Sequence, residues 1–297
     1  MLTGSIVALV TPMQADGSID KKALHNLVAW HLDTKTDGIV VIGTTGEAPT
    51  LTDDEQLEVI QLVVKQVAGR IPVIAGTGTN CTASGIQATL RAKSAGVDAC
   101  LMVAPYYNKP TQKGVYEHFK LIAEKTNIPI ILYNQPGRTG HDILPESVER
   151  LATIPEIKGI KEVSGKVERV ADIAQRCGKD FAIYSGDDDL AADMIFQGAH
   201  GVISVTANIA PREMHDLCVA ALARNKTLSD EINQRLTPLY DTMFLETNPI
   251  PIKWALHEMD KIGSGIRLPL LPLDTQYHDR VRAALQTTHL LQPAKIV

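Results

Sequence analysis

Eight short, strongly apolar segments recur along the chain, and this recurrence constrains the fold more than any other feature. Each segment is rich in Val and Ile and precedes a longer amphipathic stretch with helical periodicity. The segments cover residues 6–10, 38–42, 72–75, 99–103, 129–133, 159–163, 182–185 and 201–205. They are too apolar to alternate as half-exposed strands do, which indicates parallel strands covered on both faces.

Helix signals between the segments indicate a repeated βα unit. Thr52 and Glu55 have the spacing of a capping box, and Pro145 and Pro211 stand where helices begin. Repeated βα units predict an α/β protein whose parallel sheet is either a closed (β/α)8 TIM barrel or an open, doubly wound sheet. Eight units favour the barrel.

The strand signal stops near residue 225, and the rest of the chain carries helical patterns at residues 228–244, 250–261 and 277–288. We therefore predict a catalytic barrel over residues 1–224. A C-terminal three-helix extension over residues 225–297 would pack on it.

Composition excludes several classes of function. The chain is 44% hydrophobic and 21% charged, so it can bury a large core without disulfides or a structural metal. Its formal charge is -5 and no basic block occurs, which argues against binding to nucleic acid. A basic N-terminal region before a long apolar run is absent, as is an apolar run of about 18 residues, which predicts a cytoplasmic protein without a membrane segment.

Two patterns suggest cofactor sites that the details do not support. Residues 76–81 resemble a dinucleotide-binding fingerprint, but Cys81 occupies a position that needs Gly or Ala. Three consecutive aspartates at residues 187–189 suggest a metal site, yet acidic residues are also favoured where a helix begins, and no nearby His completes a ligand set. We predict no metal and no nicotinamide cofactor.

In a barrel, the residues that directly follow each strand form the active site. Thr44 and Thr45 lie in a Gly-Thr-Thr-Gly-Glu turn after the second strand, which can hold a carboxylate or can be only a tight polar turn. Tyr133 ends the fifth strand and could relay protons, or it could be a core residue whose hydroxyl is hydrogen-bonded. Arg138 follows that strand and could bind a carboxylate, or it could be a solvated surface residue.

Lys161 gives the sharpest indication of chemistry, because lysine is rarely buried inside a barrel. Burial favours the uncharged amine, which can attack a ketone and form a Schiff base. Strand parity does not decide whether Lys161 or Glu162 points inward, so a surface pair remains the alternative.

Several motifs together resemble the dihydrodipicolinate synthase family over essentially the whole chain. They are Gly-Thr-Thr-Gly-Glu at 43–47, Pro-Tyr-Tyr-Asn-Lys-Pro at 105–110, Tyr-Asn at 133–134, Arg-Thr-Gly at 138–140, Ile-Lys-Glu at 160–162 and Gly-Asp-Asp at 186–188. The resemblance implies condensation of pyruvate with L-aspartate 4-semialdehyde to 4-hydroxy-tetrahydrodipicolinate, the first committed step of the diaminopimelate route to L-lysine. It implies no metal and no organic cofactor.

The resemblance also implies roles for individual residues. Lys161 would form the imine with pyruvate, and Thr44, Tyr133 and Tyr107 would form a hydroxyl relay, with Tyr107 supplied by a neighbouring subunit. Thr45 and the backbone at Ile203 would hold pyruvate, whereas Arg138 would bind the carboxylate of the semialdehyde.

Two other functions stay open at this point. Pyruvate-dependent lyases of the N-acetylneuraminate lyase and sugar-acid aldolase types share the barrel, the lysine and the tyrosine, but generally lack the Arg-Thr-Gly context and the second threonine. A catalytically silent keto-acid sensor is the third possibility, and the complete set of Thr44, Tyr107, Tyr133 and Lys161 argues against it.

The resemblance further concerns regulation and assembly. Lysine-inhibited bacterial relatives bind the effector at a tight dimer interface, where this chain keeps some positions and changes others. Asn80 and Tyr106 are kept, Ser84 replaces Glu, and Ala48, Asp53 and Gln56 replace Ser and two His. A carboxylate that would pair with the lysine ammonium is missing, so we expect weak or absent inhibition.

The intersubunit Tyr107 implies a tight dimer. The surface that usually joins two such dimers is small, and Val167, Glu168 and Gln197 make it more polar here than in some relatives; a tetramer is expected over a dimer.

Overall fold

The computed structural model describes residues 2–291 and contains a closed barrel of eight parallel strands. The strands are β1 (Gly4–Ala8), β2 (Gly38–Val41), β3 (Val73–Gly76), β4 (Ala99–Val103), β5 (Ile130–Asn134), β6 (Ile157–Glu162), β7 (Ala182–Ser185) and β8 (Gly201–Ser204). Each strand pairs with the next, and β8 pairs with β1. All eight predicted strands are confirmed with small shifts of their ends, and the open sheet is excluded.

Helices between the strands form the outer layer. They are α1 (Lys21–Asp33), α2 (Asp53–Val67), α3 (Thr82–Ser94), α4 (Gln112–Thr126), α5 (Pro136–Thr139), α6 (Pro145–Ala152), α7 (Glu168–Cys177), α8 (Ala191–Phe196) and α9 (Pro211–Leu222). The predicted capping box begins α2: Glu55 N–H donates to Thr52 Oγ1 at 3.3 Å, and Thr52 N–H donates to Glu55 Oε2 at 2.8 Å.

Three further helices follow the barrel, as the sequence predicts. They are α10 (Lys226–Tyr240), α11 (Ile250–Glu258) and α12 (His278–Thr287). Helix α10 packs against α9 of the barrel, and α11 packs near the turn after β8. None of the helices within residues 2–291 is long and apolar enough to cross a membrane.

Side chains of β6 alternate between two environments, which settles the direction of Lys161. Ile160 packs in the apolar layer between strands and helices, and Glu162 bonds to Arg169 of α7 on that same side. Lys161 therefore faces the barrel interior, as strand alternation requires.

A buried polar network lies behind the ends of β5 and β6. Asn134 Nδ2 donates to Glu162 Oε1 at 3.0 Å and to Asp142 Oδ1 at 2.8 Å. Arg169 donates to the same two carboxylates, from Nε to Glu162 Oε2 at 2.9 Å and from Nη1 to Asp142 Oδ2 at 3.0 Å. Burial raises the pKa of the Glu162 carboxyl, and the Arg169 guanidinium opposes that rise. The network fixes the register that places Tyr133 beside Lys161.

The Arg169→Met variant should lower the free energy of unfolding by about 3–5 kcal/mol, because it leaves the buried Glu162 carboxylate without its ion-pair partner. The shift of the urea midpoint measures the loss. Arg176 is the matched control: it lies on the same helix and pairs with Glu146, Glu149 and Asp172, whose side chains are all accessible to solvent. Arg176→Met should shift the midpoint far less, since solvent screens these pairs. Equal shifts would contradict the role given to the buried network.

Candidate active site

A cavity of about 270 Å³ opens at the carboxyl ends of the strands. Thr44, Thr45, Tyr133, Arg138 and Lys161, five residues singled out from the sequence, all line it. Because the carboxyl ends of the strands are where barrels place their catalytic loops, these side chains occupy the expected position for an active site.

Lys161 lies in the wall of this cavity and is 6% exposed. Its Nζ is 4.7 Å from the centre of the Tyr133 ring, since the two residues are paired in the register of β5 and β6. Gly186 provides the room for the lysine: a Cβ at this position would lie 2.5 Å from Lys161 Cε. Within residues 2–291 no carboxylate oxygen lies within 4.0 Å of Lys161 Nζ, so no contact ion pair must break before the amine attacks.

Lys253 is the other buried lysine of the described residues, and its surroundings are different. Its ammonium is bonded to the buried Glu47 carboxylate, and it does not line the barrel cavity. Burial lowers the pKa of Lys253 and the Glu47 carboxylate opposes this effect. Lys253 is therefore engaged in structure, whereas the Lys161 amine is open to a ligand.

The turn after β2 carries Thr44 and Thr45. Glu47 N–H donates to the Thr44 carbonyl at 3.1 Å, and Glu47 itself adopts a left-handed conformation with φ of 56°. Close backbone packing favours glycine at position 46, since a Cβ there would lie 3.1 Å from the Leu9 carbonyl oxygen. The two hydroxyl-bearing residues are thus presented to the cavity by a tightly constrained turn.

Arg138 lies in the short helix α5, directly after β5. Gln135 caps this helix by accepting a hydrogen bond from Gly137 N–H at 2.9 Å, and Pro136 occupies its first position. Arg138 Nη2 donates to the Asn248 carbonyl at 3.2 Å. The guanidinium also lines the cavity, where its planar fork can bind a carboxylate.

Acidic residues after β7 form another wall of the cavity. Asp188 is 2% exposed, and its Oδ2 accepts from Thr206 N–H at 2.7 Å and from Val205 N–H at 3.2 Å. Burial raises the pKa of Asp188, and it raises the pKa of Asp187 to about 6. Residues 2–291 contain no group of three or more His, Cys, Asp or Glu side chains able to hold a metal. Asp187 can exchange a proton near neutral pH, a property that the sequence did not indicate.

Two residues expected at the site are not among those that line this cavity within the single chain. Tyr107 is 89% exposed, in the loop between β4 and α4, and does not line the cavity. Ile203 is fully buried in the apolar barrel interior, and Val205 lines the cavity two residues further on. One chain thus assembles Lys161, Tyr133 and Thr44, but not Tyr107.

Several residues of the expected effector region are already bonded within the single chain. Asp53 pairs with Arg91 at 3.0 Å, and Gln56 Nε2 donates to the Ala48 carbonyl at 3.0 Å. The Asn80 carbonyl accepts from Asn108 Nδ2 at 2.9 Å. Ser84 lies in the first turn of α3, and Tyr106 is 39% exposed. The single carboxylate among the expected positions is therefore already engaged.

The C-terminal extension contributes cavity residues that sequence reasoning missed. Phe244 and Asn248, between α10 and α11, both line the cavity. Asn248 Nδ2 donates to Thr45 Oγ1 at 3.0 Å. Neither residue follows a strand, so a search confined to strand ends does not find them.

Comparison with known proteins agrees with this architecture. The model of the dihydrodipicolinate synthetase family matches residues 1–288. The 4-hydroxy-tetrahydrodipicolinate synthases of Methylococcus capsulatus and Pseudomonas aeruginosa are 55% and 54% identical to this chain, over 98% of it and 100% of each relative.

A solved structure gives the same result. The chloride-inhibited dihydrodipicolinate synthase from Acinetobacter baumannii, complexed with pyruvate, superposes with a TM-score of 0.97 at 48% identity. The match covers 98% of this chain and 100% of that one. A full-length family match and relatives of this similarity leave one assignment: this chain belongs to the dihydrodipicolinate synthetase family.

Proposed function

We propose that this chain is a 4-hydroxy-tetrahydrodipicolinate synthase, which condenses pyruvate with L-aspartate 4-semialdehyde through a Schiff base on Lys161. The observation that carries the proposal is the buried Lys161 amine, open to a cavity and 4.7 Å from the Tyr133 ring. Relatives of that name at 55% and 54% identity support it, as does the pyruvate complex of the Acinetobacter baumannii protein.

The first stage forms the covalent intermediate. Lys161 Nζ attacks the ketone carbon of pyruvate, and the resulting carbinolamine loses its hydroxyl as water to give a protonated imine. Thr44 and Tyr133 carry protons to the departing oxygen and from the attacking nitrogen, and Tyr107 of a neighbouring subunit extends the relay towards solvent. Thr45 and the backbone at Ile203 hold the pyruvate part.

The second stage forms the carbon–carbon bond. The protonated imine is an electron sink, so loss of a proton from the pyruvate methyl group gives an enamine, which attacks the aldehyde carbon. Arg138 binds the carboxylate of the semialdehyde. The amine of that substrate then attacks the imine carbon, closes the ring and releases Lys161. Every step uses side chains and substrate alone, without a metal or an organic cofactor.

The exposed Tyr107 supports assembly as a tight dimer, because its hydroxyl can complete the relay only in the cavity of another subunit. We expect two dimers to associate through the surface that includes Val167, Glu168 and Gln197, of which Glu168 and Gln197 are exposed. A cytoplasmic location agrees with a reaction that supplies an amino-acid precursor.

Borohydride reduction in the presence of pyruvate should place a stable adduct on Lys161, located by peptide mass spectrometry, and Lys161→Ala should abolish it. Lys158→Met is the matched control, since Lys158 lies on the same strand but is exposed to solvent, and the adduct should persist in that variant. Turnover with aspartate semialdehyde should accompany the adduct. An adduct without this turnover would favour the aldolase alternative, and no adduct would exclude Schiff-base chemistry.

Arg138→Gln should lower kcat/KM for aspartate semialdehyde about 10- to 100-fold, because a charge-assisted hydrogen bond to its carboxylate is lost. Steady-state kinetics measure the change, and pyruvate labelling of Lys161 should be retained. Arg212→Gln serves as control, since among residues 2–291 Arg212 pairs only with Asp216, on the surface of α9. If Arg138→Gln reduced pyruvate labelling of Lys161 as much as it reduced kcat/KM for the semialdehyde, the role given to Arg138 would be contradicted.

L-lysine at millimolar concentration should inhibit turnover weakly or not at all at saturating pyruvate. Ser84 supplies no charge for the lysine ammonium, and Asp53 is already paired with Arg91. The Ser84→Glu variant supplies the missing carboxylate and should be the more sensitive protein. Strong inhibition of the unaltered protein would show that other groups bind the effector.

A further inference from the structure

Asn248 is a single residue of the C-terminal extension that contacts both proposed carboxylate-binding side chains. Its amide Nδ2 donates to Thr45 Oγ1 at 3.0 Å, and its backbone carbonyl accepts from Arg138 Nη2 at 3.2 Å. Thr45 lies on the turn after β2, and Arg138 lies on α5 after β5. These two elements are separated in the barrel, and Asn248 links them across the cavity mouth.

The hydrogen bond to Thr45 determines what that hydroxyl can do. A threonine hydroxyl has one proton to donate, and Thr45 Oγ1 accepts from Asn248. Its own proton is then free for another acceptor, and Thr45 donates to no side chain or backbone oxygen within residues 2–291. Because Thr45 lines the cavity, that proton is available to a carboxylate bound there.

Asn248 itself is not in an arrangement that serves stability alone. It is 6% exposed, and its Oδ1 is buried without a hydrogen-bond donor among residues 2–291. An unpaired buried acceptor disfavours folding, so an apolar residue would suit a purely structural position better. Residues that break this rule are concentrated at functional sites.

The same extension holds the other end of the turn. The Glu47 carboxylate is bonded to the Lys253 ammonium, and it accepts from Arg267 N–H at 3.2 Å. With Glu47 fixed, a change at Asn248 acts on the Thr45 side chain and leaves the turn in place. The contact at Asn248 can therefore be tested separately from the fold of the turn.

We propose that Asn248 is a positioning residue for the reaction: its side chain aims the Thr45 hydroxyl at the keto-acid carboxylate, and its carbonyl holds the Arg138 guanidinium at the second carboxylate site. This inference rests on the proposed function. Side-chain variants remove only the contact with Thr45, because the contact with Arg138 is made by the backbone.

The test measures the pyruvate concentration that gives half-maximal borohydride labelling of Lys161, a readout that does not need the semialdehyde. Asn248→Ala should raise this concentration about tenfold, the loss expected for one hydrogen bond. Thr45→Val should have a similar effect. The double variant should lie within about twofold of either single variant, because both changes remove the same interaction. Tyr240→Phe is the control, since it removes a hydrogen bond to Asn233 within the same extension and should leave labelling unchanged.

A second variant guards against misfolding. Asn248→Asp keeps the size of the side chain but replaces the Nδ2 donor by an acceptor, which would take the Thr45 proton and repel the keto acid. It should raise the half-saturating concentration at least as much as Asn248→Ala does. Additive effects of Asn248→Ala and Thr45→Val, or labelling in both Asn248 variants that matches the unaltered protein, would overturn the inference. Failure of the unaltered protein to label would instead overturn the proposed function.

Discussion

Closure of eight parallel strands into a barrel is the constraint on which the rest of the structure depends. Each strand must then send alternate side chains into the interior or against the helices. On β6 this alternation sends Lys161 inward and Glu162 outward, so a potential nucleophile and a structural carboxylate are adjacent in sequence but lie on opposite sides of the sheet. The pairing of β5 with β6 places Tyr133 beside Lys161, so their proximity does not depend on the conformation of a loop.

Polar contacts on two sides of the cavity hold this arrangement. Behind β5 and β6, Asn134 and Arg169 bind the same carboxylates and fix the ends of both strands. On the open side, the C-terminal extension reaches the turn after β2 through Asn248 and Lys253. The extension therefore packs on the barrel and also contributes to the site. A division of the chain into two domains at residue 225 separates residues that act at the same site.

The sequence predicted those parts of the structure that depend on local pattern. Apolar runs, capping signals and strand-end residues are local features, and they predicted the strands, the three added helices and five cavity residues. The inward direction of Lys161 was not predictable from the residues alone, because it depends on contacts of Glu162 with Arg169 of the following helix. Asn248 was missed because its contact with Thr45 spans 203 positions and leaves no local pattern. The pKa of Asp187, raised to about 6, likewise depends on burial that only the fold creates.

A crystal structure of the protein grown with pyruvate would show whether Lys161 is the Schiff-base lysine. We expect continuous electron density from Lys161 Nζ to the ketone carbon of pyruvate, with the pyruvate carboxylate at the Thr44–Thr45 turn. Pyruvate bound without a covalent bond, or joined to the buried Lys253 instead, would contradict the assignment of Lys161 as the Schiff-base lysine.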